Sequence, residues 1–293
     1  MIHKPVLVKE VLEYLSPKPN ENFIDCTVGE GGHAEVILEK TGLNGKVLGI
    51  DLDQNQINNC KLNLAKFKER AILVNDSYGN LKDIVEKNSF EPVNGILLDL
   101  GMSSAQLEST RGFSFQKDQP LDMRYNNISD LTAEIIINDW QEEQIKKILE
   151  EYGEERFAKQ VAKKITEERK SRRIESTFQL TDIIKKAIPA KFQNNRIHCA
   201  TRTFQALRIA VNGELNNLEE VLPKIVSILE PQGRLAIISF HSLEDRLVKN
   251  FLKNKEKERN IKILTKSPIT ADFEELRKNS RSRSAKLRAA IKN

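Results

Sequence analysis

The first hundred residues alternate short apolar segments with segments of helical length. Four of the apolar segments span residues 23–28, 46–51, 71–74 and 95–100, and a fifth spans residues 234–240. Parallel strands joined by crossover helices require this order, and a strand that is buried on both faces is apolar throughout. The pattern therefore predicts an α/β fold built on a mainly parallel sheet.

The fourth and fifth predicted strands are too far apart for a single crossover connection, because residues 101–233 lie between them. Two stretches within residues 157–188 carry apolar side chains at helical spacing. We therefore expect an all-helical domain, residues 108–202, inserted into a discontinuous α/β domain of residues 1–107 and 203–293.

The composition argues against several classes of protein. No apolar run reaches the roughly 18 residues that a membrane helix needs, and charged residues follow the N-terminal apolar residues too closely for a signal peptide. The three cysteines, Cys26, Cys60 and Cys199, form no Cys-x-x-Cys pair, and the histidines have no regular spacing. The sequence thus predicts neither a disulfide framework nor a metal site, and it favours the reducing cytoplasm.

Positive charge is concentrated near the C-terminus. The 47 Lys and Arg residues against 42 Asp and Glu give a formal net charge of +5, yet residues 246–293 hold fifteen basic and five acidic side chains. This segment is either a solvated charged tail or the footprint of a polyanion such as nucleic acid. In the second case it joins the basic stretch 159–173, Arg196 and Arg202 as candidate phosphate contacts.

A glycine-rich turn follows the first predicted strand. Asp25-Cys26-Thr27-Val28-Gly29-Glu30-Gly31-Gly32-His33 would let the backbone approach a ligand closely. Asp51 ends the second predicted strand, where an acid can accept hydrogen bonds from both ribose hydroxyls of an adenosine group. The turn and the acid together predict a cofactor site at this edge of the sheet.

Two classes of cofactor fit such a turn. Nicotinamide cofactors usually bring Gly-x-Gly-x-x-Gly and place a pyrophosphate at the helix N-terminus, whereas Gly29-x-Gly31-Gly32 lacks the third glycine. Asp25 and Glu30 would repel a pyrophosphate, but they suit S-adenosylmethionine, which carries a sulfonium and an ammonium group and no phosphate. The methyl donor is favoured, and a tight turn without a ligand is the other alternative.

Polar residues also follow the third and fourth predicted strands. In Asp76-Ser77-Tyr78 the acid can read the adenine amino group and the aromatic ring can stack on adenine, although Tyr78 could also be a plain core residue. Asp99 ends the fourth strand, where open α/β sheets place their chemistry. It could instead cap the next helix.

Longer blocks of the chain resemble one protein family, the bacterial small-subunit (16S) rRNA cytosine-N4 methyltransferases of the RsmH or MraW type. The most specific blocks are Arg-Gly-Phe-Ser-Phe at 111–115 and Ser-Phe-His-Ser-Leu-Glu-Asp-Arg at 239–246. With the remaining blocks the resemblance covers essentially the whole chain. Those remaining blocks are residues 25–33, 95–107, 116–124, 152–159, 200–209 and 281–288.

This resemblance implies a class I, Rossmann-like methyltransferase sheet interrupted by a helical substrate-recognition domain. It implies S-adenosyl-L-methionine as the cofactor and 16S rRNA of the small ribosomal subunit as the partner. Asn126, Cys199 and Ser280 depart from the family pattern, and none of them is a donor contact. By position, the donor contacts fall on Gly31, Gly32, His33, Asp51, Tyr78, Asp99 and Gln106.

Methylation of an exocyclic amine is a direct displacement at the sulfonium methyl group. The lone pair of the cytosine amino group is delocalised into the ring, so groups that accept its protons would help the reaction. We expect Asp99, or the backbone and hydroxyls of Ser103 and Ser104, to supply these acceptors. Phe240 could stack on the target base and His241 could contact it, although a capping or packing role for His241 is equally open.

Other functions remain open at this stage. A methyltransferase of this fold could act on DNA or protein, because a fold does not fix its substrate. A nicotinamide oxidoreductase would be expected to have the third glycine, and a non-enzymatic RNA-binding module would not need the donor pocket. The leading prediction is a methyltransferase that uses S-adenosylmethionine to modify the N4 amino group of a cytidine in the decoding region of 16S rRNA.

Overall fold

The computed structural model describes residues 5–126, 129–193 and 197–293. Arg196, one of the predicted phosphate contacts, lies outside these residues. The chain forms two compact units, one of Met1–Gly101 with Leu215–Asn293 and one of Met102–Glu214. The second unit extends beyond the expected limits of 108 and 202, because the helix after residue 200 packs with the earlier helices of that unit. Among the described residues, no helix is long and apolar enough to cross a membrane.

The first unit is built on one sheet. Its strands are arranged in the order β3-β2-β1-β4-β5-β7-β6, with β1 to β5 parallel and β7 antiparallel to both neighbours. The α/β fold and its five predicted strands are confirmed, whereas the sequence does not predict β6 or β7. The strands in the described residues are β1 (Phe23–Asp25), β2 (Val47–Asp51), β3 (Ala71–Asn75), β4 (Gly95–Leu100), β5 (Arg234–Ser239), β6 (Ile261–Ile263) and β7 (Lys286–Lys292).

Helices α1 to α4 and α11 to α13 belong to the first unit, apart from the first residue of α11, and α5 to α10 belong to the second. In chain order the helices of the described residues are α1 (Val8–Leu15), α2 (Gly32–Lys40), α3 (Gln54–Asn63), α4 (Leu81–Lys87), α5 (Ser104–Glu108), α6 (Ala133–Asp139), α7 (Glu142–Glu151), α8 (Ala158–Glu168), α9 (Thr177–Ala187), α10 (Thr201–Asn212), α11 (Glu214–Ile228), α12 (Ser242–Lys257) and α13 (Phe273–Lys278).

Apolar side chains cover both faces of the sheet, which explains why its strands are apolar without alternation. On one face, Ile96 and Leu98 belong to a buried cluster that includes Leu222 of α11. On the other, Leu97 belongs to a cluster with Ile37 of α2. The sheet is therefore the central layer of an α/β sandwich.

The parallel register brings polar residues to one edge of this sheet. Asp25 of β1 pairs with Gly49 of β2, and Asp51 of β2 pairs with Asn75 of β3. Asp99 of β4 pairs with Ile238 of β5. Because β1 lies between β2 and β4, the strand order reverses there, and this reversal is where open α/β sheets bind ligands.

The second unit is helical. The two stretches with helical spacing form α8 and α9, and buried apolar residues of both helices share one core with α6, α7 and α10. Ile137, Ile145, Val161, Leu180 and Leu207, one from each helix, are fully buried in it. This unit therefore has its own hydrophobic core.

The basic C-terminal segment is part of the fold and is not a solvated tail. Its last residues form β7, and Arg288 in that strand is buried. The Arg288 guanidinium donates to both carboxylate oxygens of Asp245 on α12, at 2.7 and 3.3 Å. Burial acts to raise the pKa of Asp245, but the hydrogen bonds and charge of Arg288 leave it below its usual value. Arg288 is thus a structural cation, which corrects its assignment as a candidate phosphate contact.

We predict that Arg288→Met lowers the free energy of unfolding by roughly 3 kcal/mol, because it leaves the Asp245 carboxylate inside the protein without its main partner. Chemical denaturation measures the change. The control Arg283→Met removes a charge from an exposed residue of the same segment and should change the stability by less than about 0.5 kcal/mol. Equal effects of the two substitutions would contradict the structural role of Arg288.

Candidate active site

The turn between β1 and α2 contains two glycines in left-handed backbone conformations. Gly29 has φ +52° and Gly31 has φ +92°, values that side chains other than glycine rarely adopt. A Cβ atom on Gly31 would lie 2.9 Å from the Cys60 sulfur, and one on Gly32 would lie 3.0 Å from Pro5. The two glycines that were predicted as donor contacts are therefore required by the packing of the turn as well.

His33 and Asp99 face each other across this turn. His33, on the first turn of α2, is buried, and its Nε2 atom lies 3.6 Å from Oδ2 of Asp99. Within the described residues, neither ring nitrogen of His33 nor Oδ1 of Asp99 has a hydrogen-bond partner. Buried polar atoms without partners are rare in folded proteins. Their presence beside the glycine turn is consistent with the prediction that His33 and Asp99 contact a ligand.

Asp25 and Thr27 connect the end of β1 to the end of β4. The Thr27 amide donates to Asp25 Oδ1 at 3.1 Å, and the Asp99 amide donates to the Thr27 hydroxyl at 2.6 Å. Burial raises the pKa of Asp25 to about 6, although the charge of His33 acts in the opposite direction. Asp25 is therefore a buried acid beside the His33–Asp99 pair.

Asp51 lies at the end of β2 and is fixed by two backbone groups. Its carboxylate accepts from the Gly29 amide at 3.0 Å and from the Asp53 amide at 2.9 Å. Burial raises the pKa of Asp51 to about 7 despite these two hydrogen bonds. The prediction that this acid stands beside the glycine turn is consistent with this geometry.

Tyr78 follows β3 in a short 3-10 turn, at the same edge of the sheet. The side chain of Ser77 caps this turn by accepting from the Gly79 amide, and Asp76 Oδ1 accepts from the Ser77 amide at 2.7 Å. Tyr78 is half-buried and packs against the core of the first unit. Lys224 donates to the carbonyl of Gly79. Both interpretations of Tyr78, core residue and stacking surface, agree with a ring that is partly exposed.

Phe240 and His241 follow β5. The Phe240 ring lies against Gly101, where a Cβ atom would be 2.8 Å from it. His241 is the N-cap of α12: its Nδ1 accepts from the Glu244 amide, and Glu244 accepts from the His241 amide. Of the two roles left open for His241, the structure thus shows capping.

Asp99 does not cap the next helix, because the N-cap of α5 is Ser103. Ser103 and Gln106 form a reciprocal capping box, in which each backbone amide donates to the other side chain, at 2.9 and 3.1 Å. These residues lie in the second unit, whereas the other predicted donor contacts lie in the first. The side chain of Ser104 lies outside the described part of the chain.

Two residues near the turn have features that the sequence reasoning did not use. Gln56 on α3 is buried, and its Oε1 has no hydrogen-bond partner among the described residues. It follows the α3 cap Asp53 by three positions, a spacing typical of capping boxes that could have drawn attention to it. Burial lowers the pKa of Arg281, and the charge of Asp99 opposes this shift. No local pattern distinguishes Arg281 from the basic residues around it.

Some of the basic residues on α8 and after it pair with acids of the same unit. Lys164 pairs with Glu168 at 3.0 Å, and Arg173 pairs with Glu134 at 2.8 Å and with Asp139 at 3.2 Å. Such exposed pairs add little stability, but they reduce the net positive charge of this surface. The stretch is therefore a weaker candidate for phosphate binding than its sequence indicates.

Taken together, the edge of the sheet at the switch point carries three acids, a buried imidazole and a turn that lets a ligand approach the backbone. Burial raises the pKa of Asp25 and of Asp51 more than their hydrogen bonds and the charge of His33 lower it. This set suits a ligand with positive charge and hydroxyl groups, and it disfavours a pyrophosphate.

Known proteins resemble this chain over its full length. The MraW methylase family matches residues 1–293. A protein of Heliobacterium mobile named ribosomal RNA small subunit methyltransferase H is 46% identical over 307 residues, covering 99% of this chain and 98% of that protein. Proteins of the same name from a Sulfurihydrogenibium species and from Clostridium botulinum are 46% and 45% identical, covering 98% and 99% of this chain and 97% and 98% of their own.

Proposed function

The chain belongs to the MraW methylase family and is a methyltransferase, and we propose that it methylates the N4 amino group of a cytidine in the decoding region of 16S rRNA. S-adenosylmethionine is its methyl donor. The observation that carries the proposal is the group of buried acids and unpartnered polar atoms around the glycine turn, which suits this cationic donor. The names of the relatives support ribosomal RNA of the small subunit as the acceptor.

The donor supplies an electrophilic methyl group on a sulfonium. The backbone of Gly31 and Gly32 contacts the donor in this proposal, and Asp51 accepts hydrogen bonds from its ribose hydroxyls. Tyr78 stacks on the adenine, and Asp25 adds negative charge near the cationic end. His33, Asp99 and Gln106 complete the predicted contacts.

Asp99 has a second role in the proposed reaction. Its carboxylate accepts a hydrogen bond from the amino group of the target cytidine, which turns the nitrogen lone pair toward the methyl group. As the N–C bond forms and the S–C bond of the sulfonium breaks, the nitrogen becomes cationic and releases a proton to the Asp99 carboxylate. The Thr27 hydroxyl holds the Asp99 backbone at 2.6 Å, and His33 lies 3.6 Å from its carboxylate. Thr27 thus fixes the backbone of Asp99, and His33 lies beside its carboxylate. Phe240 stacks on the unstacked base.

The helical second unit, Met102–Glu214, is the substrate-recognition part of the enzyme in this proposal. Its role is to bind RNA outside the target base, through phosphate contacts and unpaired nucleotides. Because the substrate is ribosomal RNA, the enzyme acts in the cytoplasm.

The decisive experiment is methyl transfer from labelled S-adenosylmethionine to small ribosomal subunits that lack their own modification at this site. We expect the label in N4-methylcytidine after digestion of the RNA to nucleosides. Subunits that already carry the modification are the control and should take up none. Label in another nucleoside would contradict the acceptor, and no label despite donor binding would contradict the RNA substrate.

Donor affinity should rise as the pH increases from 5.5 to 8. Asp25 and Asp51, with pKa values near 6 and 7, are mostly protonated at the lower pH, and the donor's cationic and hydroxyl groups favour their ionised forms. Affinity therefore increases as each group ionises, by up to about tenfold for each unit that binding lowers a pKa, and levels off above the pKa of Asp51. Titration calorimetry at several pH values measures this. Asp51→Asn should flatten the rise near pH 7, and an affinity that falls with pH would contradict the assignment.

Asp99→Asn should lower kcat by about a hundredfold to a thousandfold, because it removes the charged acceptor that stabilises the transition state. The matched control is Asp76→Asn, which changes the acid beside the predicted adenine site and should raise the KM for the donor more than it lowers kcat. Single-turnover methylation with both substrates saturating separates the two effects. An Asp99→Asn enzyme that turns over near the wild-type rate would show that Asp99 does not act on the amino group.

A further inference from the structure

The second unit contains a pocket that none of the predicted donor or target residues lines. It has a volume of about 380 Å³, within the range of about 300–1,000 Å³ that is usual for small-molecule sites. It lies among the start of α8, the residues that follow α9 and the segment that precedes α10. Its lining includes the polar and aromatic residues Glu155, Arg156, Phe157, Phe192, His198 and Arg202.

Aromatic rings form one side of this pocket. The rings of Phe157 and Phe192 have centroids 5.2 Å apart and are inclined by 47°. The Arg156 guanidinium lies 5.7 Å from the first centroid and 5.1 Å from the second. Both phenylalanines are only half-buried, so they offer planar faces to a ligand. A flat π-system can stack on these rings or on the guanidinium plane.

His198 adds a second planar group with hydrogen-bonding atoms. It stacks on Phe115, with centroids 4.6 Å apart and planes inclined by 15°. Burial, together with the charge of Lys185, lowers the pKa of His198, so that the ring is neutral at physiological pH. A neutral imidazole has one donor and one acceptor nitrogen. The His198 Nδ1 atom accepts from the Ala200 amide at 3.2 Å, so its Nε2–H group remains as a donor to an acceptor atom on the edge of a base.

The charges around the pocket are of two kinds. Arg156 and Arg202 are exposed cations in its lining, and Lys191 lies over the Phe192 ring at 5.1 Å. Glu155, in contrast, is buried, and its Oε1 accepts from the Phe157 amide at 2.8 Å. The pocket thus combines exposed cations with one buried carboxylate.

We propose that this pocket binds one unpaired nucleotide of the RNA substrate, with the base stacked among the aromatic rings and its phosphate held by Arg156 and Arg202. The inference rests on the proposed RNA substrate and adds to it a docking site other than the target cytidine. Unpaired bases stacked on aromatic and arginine planes are the usual means of sequence-tolerant RNA binding. The Glu155 carboxylate suits the exocyclic amino group of a base.

Other occupants fit the pocket less well. A free phosphate ion would use the arginines but not the aromatic rings. An acidic segment of a ribosomal protein would meet the arginines, but it would also bring its carboxylates close to Glu155, and like charges at close range repel each other. A nucleotide uses the rings, the cations and the buried carboxylate together.

The test uses the full-length protein and a single-stranded RNA decanucleotide that carries 4-thiouridine. Fluorescence anisotropy measures affinity, and photo-cross-linking with peptide mapping identifies the contact. We expect cross-links within residues 155–157, 188–193 or 197–202. Phe192→Ala should weaken binding by about tenfold, the loss expected for one stacked base. Arg156→Ala should weaken RNA binding by more than Phe192→Ala does. It should also reduce the salt dependence of the affinity by the amount expected for about one phosphate contact.

Matched controls come from the same unit. Phe178→Ala removes a phenylalanine that is 45% exposed outside the pocket, and Lys147→Ala removes an exposed cation of α7 outside the basic stretch 159–173; both should bind RNA as the wild type does. Phe192→Tyr keeps a stacking face and should retain affinity, which separates stacking from a folding defect. Donor affinity, measured by calorimetry, should be unchanged in all of these variants.

The possible results distinguish this inference from the proposed function. Cross-links in the pocket together with the tenfold loss support the inference, even if the wild-type enzyme methylates no cytidine. Cross-links elsewhere with unchanged affinities overturn it. Variants that bind the oligonucleotide normally but lose affinity for intact small subunits also overturn it, because the pocket would then contact a ribosomal protein.

Discussion

The left-handed turn between β1 and α2 is the constraint on which the rest of the donor site depends. With φ at +92°, Gly31 directs the chain so closely past Cys60 that no side chain fits there. α2 therefore begins one residue later, and His33, on its first turn, points at the end of β4. Thr27, in the same turn, accepts from the Asp99 amide. A single backbone conformation thus places the ends of two strands and the first turn of a helix around one point.

The parts of the fold that follow from local pattern could be predicted from the sequence. Five apolar segments become parallel strands because burial on both faces leaves no polar positions in them. β7 could not be predicted in this way, since Lys286, Arg288 and Lys292 give it the composition of a solvated tail. Its place beside β5 depends on Asp245 of α12, which neutralises Arg288 from a distant part of the sequence. Charge counting cannot detect a partner 43 residues away.

In the candidate site, too, some features follow from local sequence pattern and others depend on contacts between distant residues. Parallel strands end at a common edge of the sheet, so acids at strand ends are predicted to lie together. Once β2 and β4 are predicted, the locations of Asp51 and Asp99 follow. The capping role of His241 was one of two open alternatives, and only the geometry of α12 decides it. Gln56 and Arg281 were missed because their relation to the turn and to Asp99 arises from tertiary packing. Arg281 in particular was grouped with a basic tail, although burial and the charge of Asp99 both act on it.

The raised pKa values near the turn connect the stability of the first unit with its chemistry. Burial disfavours the ionised forms of Asp25 and Asp51, and the charge of Asp25 raises the pKa of Asp51 further. A folded acid with a raised pKa binds its proton more tightly than the unfolded chain does, so stability falls as pH rises from the unfolded value toward the folded one. A cationic ligand that favours the ionised forms offsets this loss, and by linkage it stabilises the fold more at neutral pH than at acidic pH. The carboxylates that destabilise the first unit on its own are therefore the same ones that we propose as the basis for selecting a cationic donor.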